Sequence, residues 1–198
     1  MSQNLFRLIG AITLTAAIAS CQPKDVTGWS KIKWGMTLAE AREVFGERAS
    51  RVDPQGPDSQ SFTVKDVMIG DIAATALVVS ARNSNRVGLV TIQATKYELI
   101  VGDELVQSGA VANQIQTFST LKRLLIEKYG TPKNEDHKPD GRGYMNSTVL
   151  WVFPTTSIIL ELHEPSASEV QQALRLRMPT SGHVTVQYRA IDKSLDSL

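Results

Sequence analysis

"KWGMTLAEAREVFGERA", residues 33–49, decides how the chain folds. Thr37 is a helix N-cap: its hydroxyl can accept from the backbone N–H three residues on. The residue at that position is Glu40, which completes a capping box. Leu38, Ala41 and Phe45 follow at spacings of three and four, with Val44 beside them, so one face is apolar. Gly46 is placed to end the helix in a left-handed turn. The spacing predicts a helix of about two and a half turns.

So narrow an apolar stripe needs a second layer, and the downstream sequence supplies it. After the turn-rich loop "RASRVDPQGPDSQSF" come "SFTVKDVMI" (61–69), "ATALVVSA" (74–81) and "RVGLVTIQA" (86–94). They are rich in β-branched residues and read as strands, with "RNSN" (82–85) as a hairpin turn. Gly70 and Gly88 mark bends or bulges. A longer helix is expected over 111–129, where Val111, Ile115, Phe118, Leu121 or Lys122, Leu125 and Tyr129 track one face before Gly130 and Pro132 stop it. "KNEDHKPDGRG" (133–143) reads as a hydrophilic loop. "STVLWVF" (147–153), "PTTS" (154–157) and "SIILELHE" (157–164) read as a hairpin. A short helix over Ser168–Arg175 lies in an insertion, and "VTVQYRAI" (184–191) is a last strand.

Helix, strands, helix, strands is the order of a duplicated unit, each helix closing on an aromatic residue and Gly: Phe45-Gly46 and Tyr129-Gly130. Strands joined by short turns make the sheet mainly antiparallel, with helices packed on one face. The expected class is α+β: one domain over 29–198, with tandem units at about 29–109 and 110–198.

The start of the chain gives an address. Arg7 is followed by "LIGAITLTAAIAS" (8–20), an uncharged run too short for a transmembrane helix, which needs ~20 residues. A short apolar run after a basic residue, ending in small residues, reads as a secretory signal over 1–20. The chain's one cysteine, Cys21, follows at once, so an intrachain disulfide is impossible. Ile18-Ala19-Ser20-Cys21 resembles the lipobox of bacterial lipoproteins. That resemblance implies cleavage before Cys21, a diacylglycerol thioether on its sulfur and acylation of the new amino group. Several acyl chains hold a protein where one binds only marginally. In enterobacterial lipoproteins an Asp after the cysteine signals inner-membrane retention, so Gln22 points to the outer membrane, facing the periplasm. Residues 21–28 form a polar tether.

Charge excludes one class of partner. Arg7 is the only charged residue among the first twenty, so the remainder balances 20 basic against 20 acidic side chains. A nucleic-acid binder needs clustered excess cations, and none is expected here.

Gly35, Met36, Thr37, Ala41, Phe45 and Gly46 resemble the helix of the SmpA/OmlA (BamE-like) family of outer-membrane-assembly lipoproteins. The resemblance implies helices against an antiparallel sheet and an envelope role. β-Lactamase-inhibitor-like proteins double a similar unit into one longer sheet. Ala41 and Phe45 stand where the family has Val and Leu, and the second helix lacks the Gly-Met-Thr motif.

No nucleophile elbow, phosphate loop or dinucleotide fingerprint is present, so no catalytic residue and no cofactor is expected. Glu161 and His163 lie two apart on a strand and so share a face, where they are weak metal candidates; an exposed polar face is the simpler reading. Glu135, His137, Asp140 and Arg142 make the 133–143 segment the candidate interaction loop. The leading expectation is a lipid-anchored, non-catalytic module that binds an envelope protein. The alternatives are an inhibitor or immunity-type lipoprotein that plugs a secreted enzyme through that loop, and a small-ligand binder or enzyme.

Overall fold

The computed structural model describes residues 25–99, 104–139, 145–165, 167–176 and 180–191. The expected signal and Cys21 lie outside them.

A two-stranded ribbon, β1 (Gly28–Trp29) and β2 (Ile32–Lys33), precedes helix α1 (Leu38–Glu43) and a 3₁₀ turn (Gly46–Arg48). Strands β3 (Asp53–Pro54), β4 (Gln60–Ile69), β5 (Ile72–Ser80) and β6 (Val87–Leu99) follow. Helix α2 (Glu104–Tyr129) leads to β7 (Asn134–Pro139), β8 (Met145–Val152) and β9 (Thr156–Glu164). Helix α3 (Ala167–Leu176) and β10 (Thr180–Ala190) complete the described chain. β3 to β10 form one open antiparallel sheet in the order β3-β4-β5-β6-β10-β9-β8-β7. Strands from each half of the chain stay together and meet where β6 pairs with β10.

Register explains the core. Directly paired residues lie on one face of a sheet. Phe62, Val78, Val90, Tyr188, Ile158 and Trp151 form one cross-strand row. Val64, Ala76, Ile92, Val186, Leu160 and Val149 form the next. All twelve are buried. Leu38 and Ala41 of α1 and Leu121 and Leu125 of α2 belong to the same cluster. Trp151, 1% exposed, donates from Nε1 to the Gly130 carbonyl at 2.8 Å, tying the end of α2 to the sheet.

The capping box forms as the sequence predicts: Glu40 N donates to Thr37 Oγ1 at 3.2 Å, and Thr37 N to Glu40 Oε2 at 2.8 Å. The helix it starts is shorter than expected. It closes at Glu43, and the chain tightens into the 3₁₀ turn where Gly46 takes φ +56°. α2 begins earlier than the periodicity suggests, at Glu104, and ends on Tyr129 as read. The short helix of the insertion is present as α3, one residue longer at each end.

Two expectations need correction. The segment 133–143 is not simply a loop: Asn134–Pro139 is strand β7, paired along its length with β8. Residues 25–28, assigned to the tether, are held against the fold. Asp25 accepts from Thr155 N at 3.2 Å and from the Thr155 hydroxyl at 2.9 Å, and Val26 packs on the core.

Candidate functional site

The sheet has a second face, and the register says what it carries. Thr63, Leu77, Thr91, Gln187, Ile159, Leu150 and Asn134 form one row opposite the core. Ser61, Val79, Leu89, Arg189, Ser157 and Val152 form a second. Leu77, Val79, Leu89, Leu150 and Ile159 are half-buried and Val152 is 41% exposed, so six aliphatic side chains share this face with hydroxyls and amides.

Further along the strands the same face turns polar. Glu161 and His163 both lie on it, as their spacing predicts, since Leu160 and Leu162, which alternate with them, are buried on the core face. Glu161 stands opposite Thr185 and Thr148; His163 stands opposite His183 and Asn146. The His163 and His183 rings stack with centroids 4.8 Å apart, and His163 Nδ1 lies 2.7 Å from Asn146 Oδ1. The residues that gather at His163 are therefore cross-strand neighbours, not Glu161. Among the described residues no group of three or more His, Cys, Asp or Glu side chains is placed to hold a metal ion.

The candidate interaction loop does not come together as one. Glu135 and His137 stand on β7, opposite Val149 and Ser147. Val149 belongs to the core rows, so both side chains share the core's face of the sheet. Glu135 is taken by Lys122 of α2 at 2.6 Å, a partly exposed pair that contributes little stability. His137 Nδ1 meets the buried Ser147 hydroxyl. Asp140 and Arg142 lie outside the described residues. β7 instead forms an edge of the sheet, rich in charged residues and closed by Pro139, as edge strands that resist unwanted pairing are.

On the core side, two adjoining grooves of about 560 Å³ share Ser30 and Lys128. Tyr129 lines one and Tyr188 the other; their hydroxyls are 3.3 Å apart, and Tyr129 also packs on Phe153. Burial raises the Tyr188 phenol well above its ordinary value, helped by the charge and hydrogen bond of Tyr129. At the surface, the Thr37 backbone N–H and hydroxyl, then Arg86, hold Glu40 below the usual carboxylate range. Neither shift creates a general acid or base near neutral pH.

Trp34 reaches across from the capping segment to Thr156, its Nε1 donating to Oγ1 at 2.6 Å. Sequence reading missed the pairing of His163 with His183 and Asn146, which depends on strand order. It also missed the grooves, whose walls come from six separate segments. Comparison with known proteins finds no matching family model, no matching curated protein and no matching solved structure.

Proposed function

We propose that this chain is a lipoprotein of the bacterial envelope, most simply of the outer membrane facing the periplasm, and that it binds another protein without catalysis. Cys21, directly after a short apolar run and small residues, supports the address. The single observation that supports binding is the mixed aliphatic and polar face opposite the core. Helices α1 and α2 pack against the sheet, α1 touching β4 and β5 and α2 touching β6, β9 and β10, with Leu38, Ala41, Leu121 and Leu125 in the core cluster. Leu77, Leu150 and Ile159 lie on the face opposite the core rows, flanked by Thr91 and Gln187. Apolar centres ringed by hydrogen-bonding groups suit a protein interface. The contiguous strand blocks either side of the β6–β10 junction fit a duplicated unit, and the Gly35–Thr37 segment fits a BamE-like one. There Leu38 N donates to the Asn85 carbonyl and Val87 N to the Met36 carbonyl, each at 2.8 Å, so the helix start is bonded to the β5–β6 turn.

A photo-crosslinking residue at Leu77 or Leu150, in cells carrying the full chain, tests this reading. A discrete protein adduct is expected from both positions and none from Ile126, which is exposed on α2. No adduct, or the same adducts from all three, would contradict it. A secreted hydrolase as the adduct would establish the inhibitor reading in its place.

A further inference from the structure

We propose that the groove between the β1–β2 ribbon, the 3₁₀ turn after α1, the end of β4 and α2 seats on the lipid surface that holds Cys21, turning the opposite sheet face toward the periplasm. This rests on the lipoprotein reading and adds an orientation to it.

Tether length is the first argument. Asp25 is pinned to Thr155. Only four residue steps separate it from Cys21, a reach of at most ~14 Å. The headgroup layer on each side of a bilayer is roughly 5–8 Å deep. A thioether at the acyl boundary therefore leaves Asp25 less than about 10 Å clear of the headgroups. The body cannot stand off; the surface next to Asp25 meets lipid.

That surface is built for an interface. The groove holding Asp25 continues through Ser30 and Lys128 into the one walled by Trp29, Phe45, Ile69 and Leu124. Trp29 stacks on Phe45 with centroids 5.8 Å apart and only part of the indole covered. Indoles favour the boundary between headgroups and acyl chains. Two exposed cations flank these groups: Arg48, 6.0 Å from the Phe45 centroid, and Lys128, 5.0 Å from that of Tyr129. Both can meet headgroup phosphates. Two carboxylates share the surface, Asp25, held by Thr155, and Asp66. The two sides of the sheet thus divide the work, lipid on the side of the helices and a protein partner on the other.

The test uses the full, lipid-modified chain in vesicles of phosphatidylethanolamine and phosphatidylglycerol containing doxyl-labelled lipid. Ser30→Cys, exposed and lining both grooves, is labelled with a thiol-reactive, polarity-sensitive fluorophore. Thr75→Cys, exposed on the face opposite the core, is the comparator. Quenching at 30 is expected to exceed that at 75 at least threefold, with a blue-shifted emission. Adding Arg48→Glu and Lys128→Glu should cut it by half or more. Equal quenching at the two positions would overturn the orientation. So would protection of the label at 30 in native envelopes but not in protein-free vesicles, which would assign the groove to a protein. Counting labels by mass separates the two layers of the argument. One label means the Cys21 sulfur is blocked as a thioether, so failed quenching then overturns docking alone. Two labels mean a free Cys21, and the anchor itself fails.

Discussion

Tyr188 shows how one side chain links packing to solution behaviour. It stands in a core row, 4% exposed, with Tyr129 as its hydroxyl partner. Its phenol is raised from an unfolded value of 10.0. Above that pH the unfolded chain loses a proton that the folded chain keeps, so stability falls as pH rises, by up to about 1.4 kcal/mol per pH unit. Below it both states are neutral and the contribution is fully present. Tyr188→Phe should flatten the fall in urea midpoint between pH 9.5 and 11.5; an unchanged slope would show that Tyr188 ionises freely in the fold. At this scale the sequence was informative wherever one residue type had one good use. Thr37 with Glu40 is a capping box, and Tyr129 with Gly130 closes α2. It was silent where a role depends on a residue far along the chain. His183, twenty positions from His163, becomes its neighbour only when β10 pairs with β9.

Elements whose own residues carry start and stop signals were legible, and those defined by their neighbours were not. α1 starts where the capping box puts it, and Thr37→Ala should cost about 1 kcal/mol in a denaturant midpoint. An unchanged midpoint would mean the contacts with the β5–β6 turn hold the helix without its cap. The β4–β5 hairpin turns at Gly70, as read, with φ +58°, and a Cβ there would lie 3.1 Å from Leu124 Cδ1. Gly70→Ala should therefore destabilise by about 1–2 kcal/mol, the ordinary cost of a left-handed non-glycine residue, with the contact to α2 adding to it. A neutral result would mean the hairpin tip shifts freely. β7 escaped the sequence because Asn134–Pro139 has charge and proline where buried strands have alternation. It is a strand because β8 offers it an open edge, a fact no local pattern contains. The overlength expectation for α1 has the opposite cause. The stripe through Phe45 is real, but Gly46 and the 3₁₀ turn redirect the chain before the stripe is used as helix.

At the scale of the whole molecule, the antiparallel sheet and its hairpins follow from short turns between β-branched runs. The strand order does not: the β6–β10 junction joins segments separated by the whole of α2, β7, β8, β9 and α3. The same junction makes a single broad sheet from two strand blocks. It places the aliphatic row of Leu77, Ile159 and Leu150 on one face and the core rows, with Tyr188 at the groove, on the other. Both proposed surfaces depend on that arrangement and on where the chain is moored. Among the described residues no helix is long and apolar enough to cross a membrane. The proposed mooring is Cys21. Mass spectrometry of the amino-terminal peptide, taken from protein extracted from its native envelope, tests this most directly. The expected peptide begins at Cys21 and carries a diacylglyceryl thioether and an acylated amine. A peptide running unbroken through Ser20 into an unmodified Cys21 would contradict it.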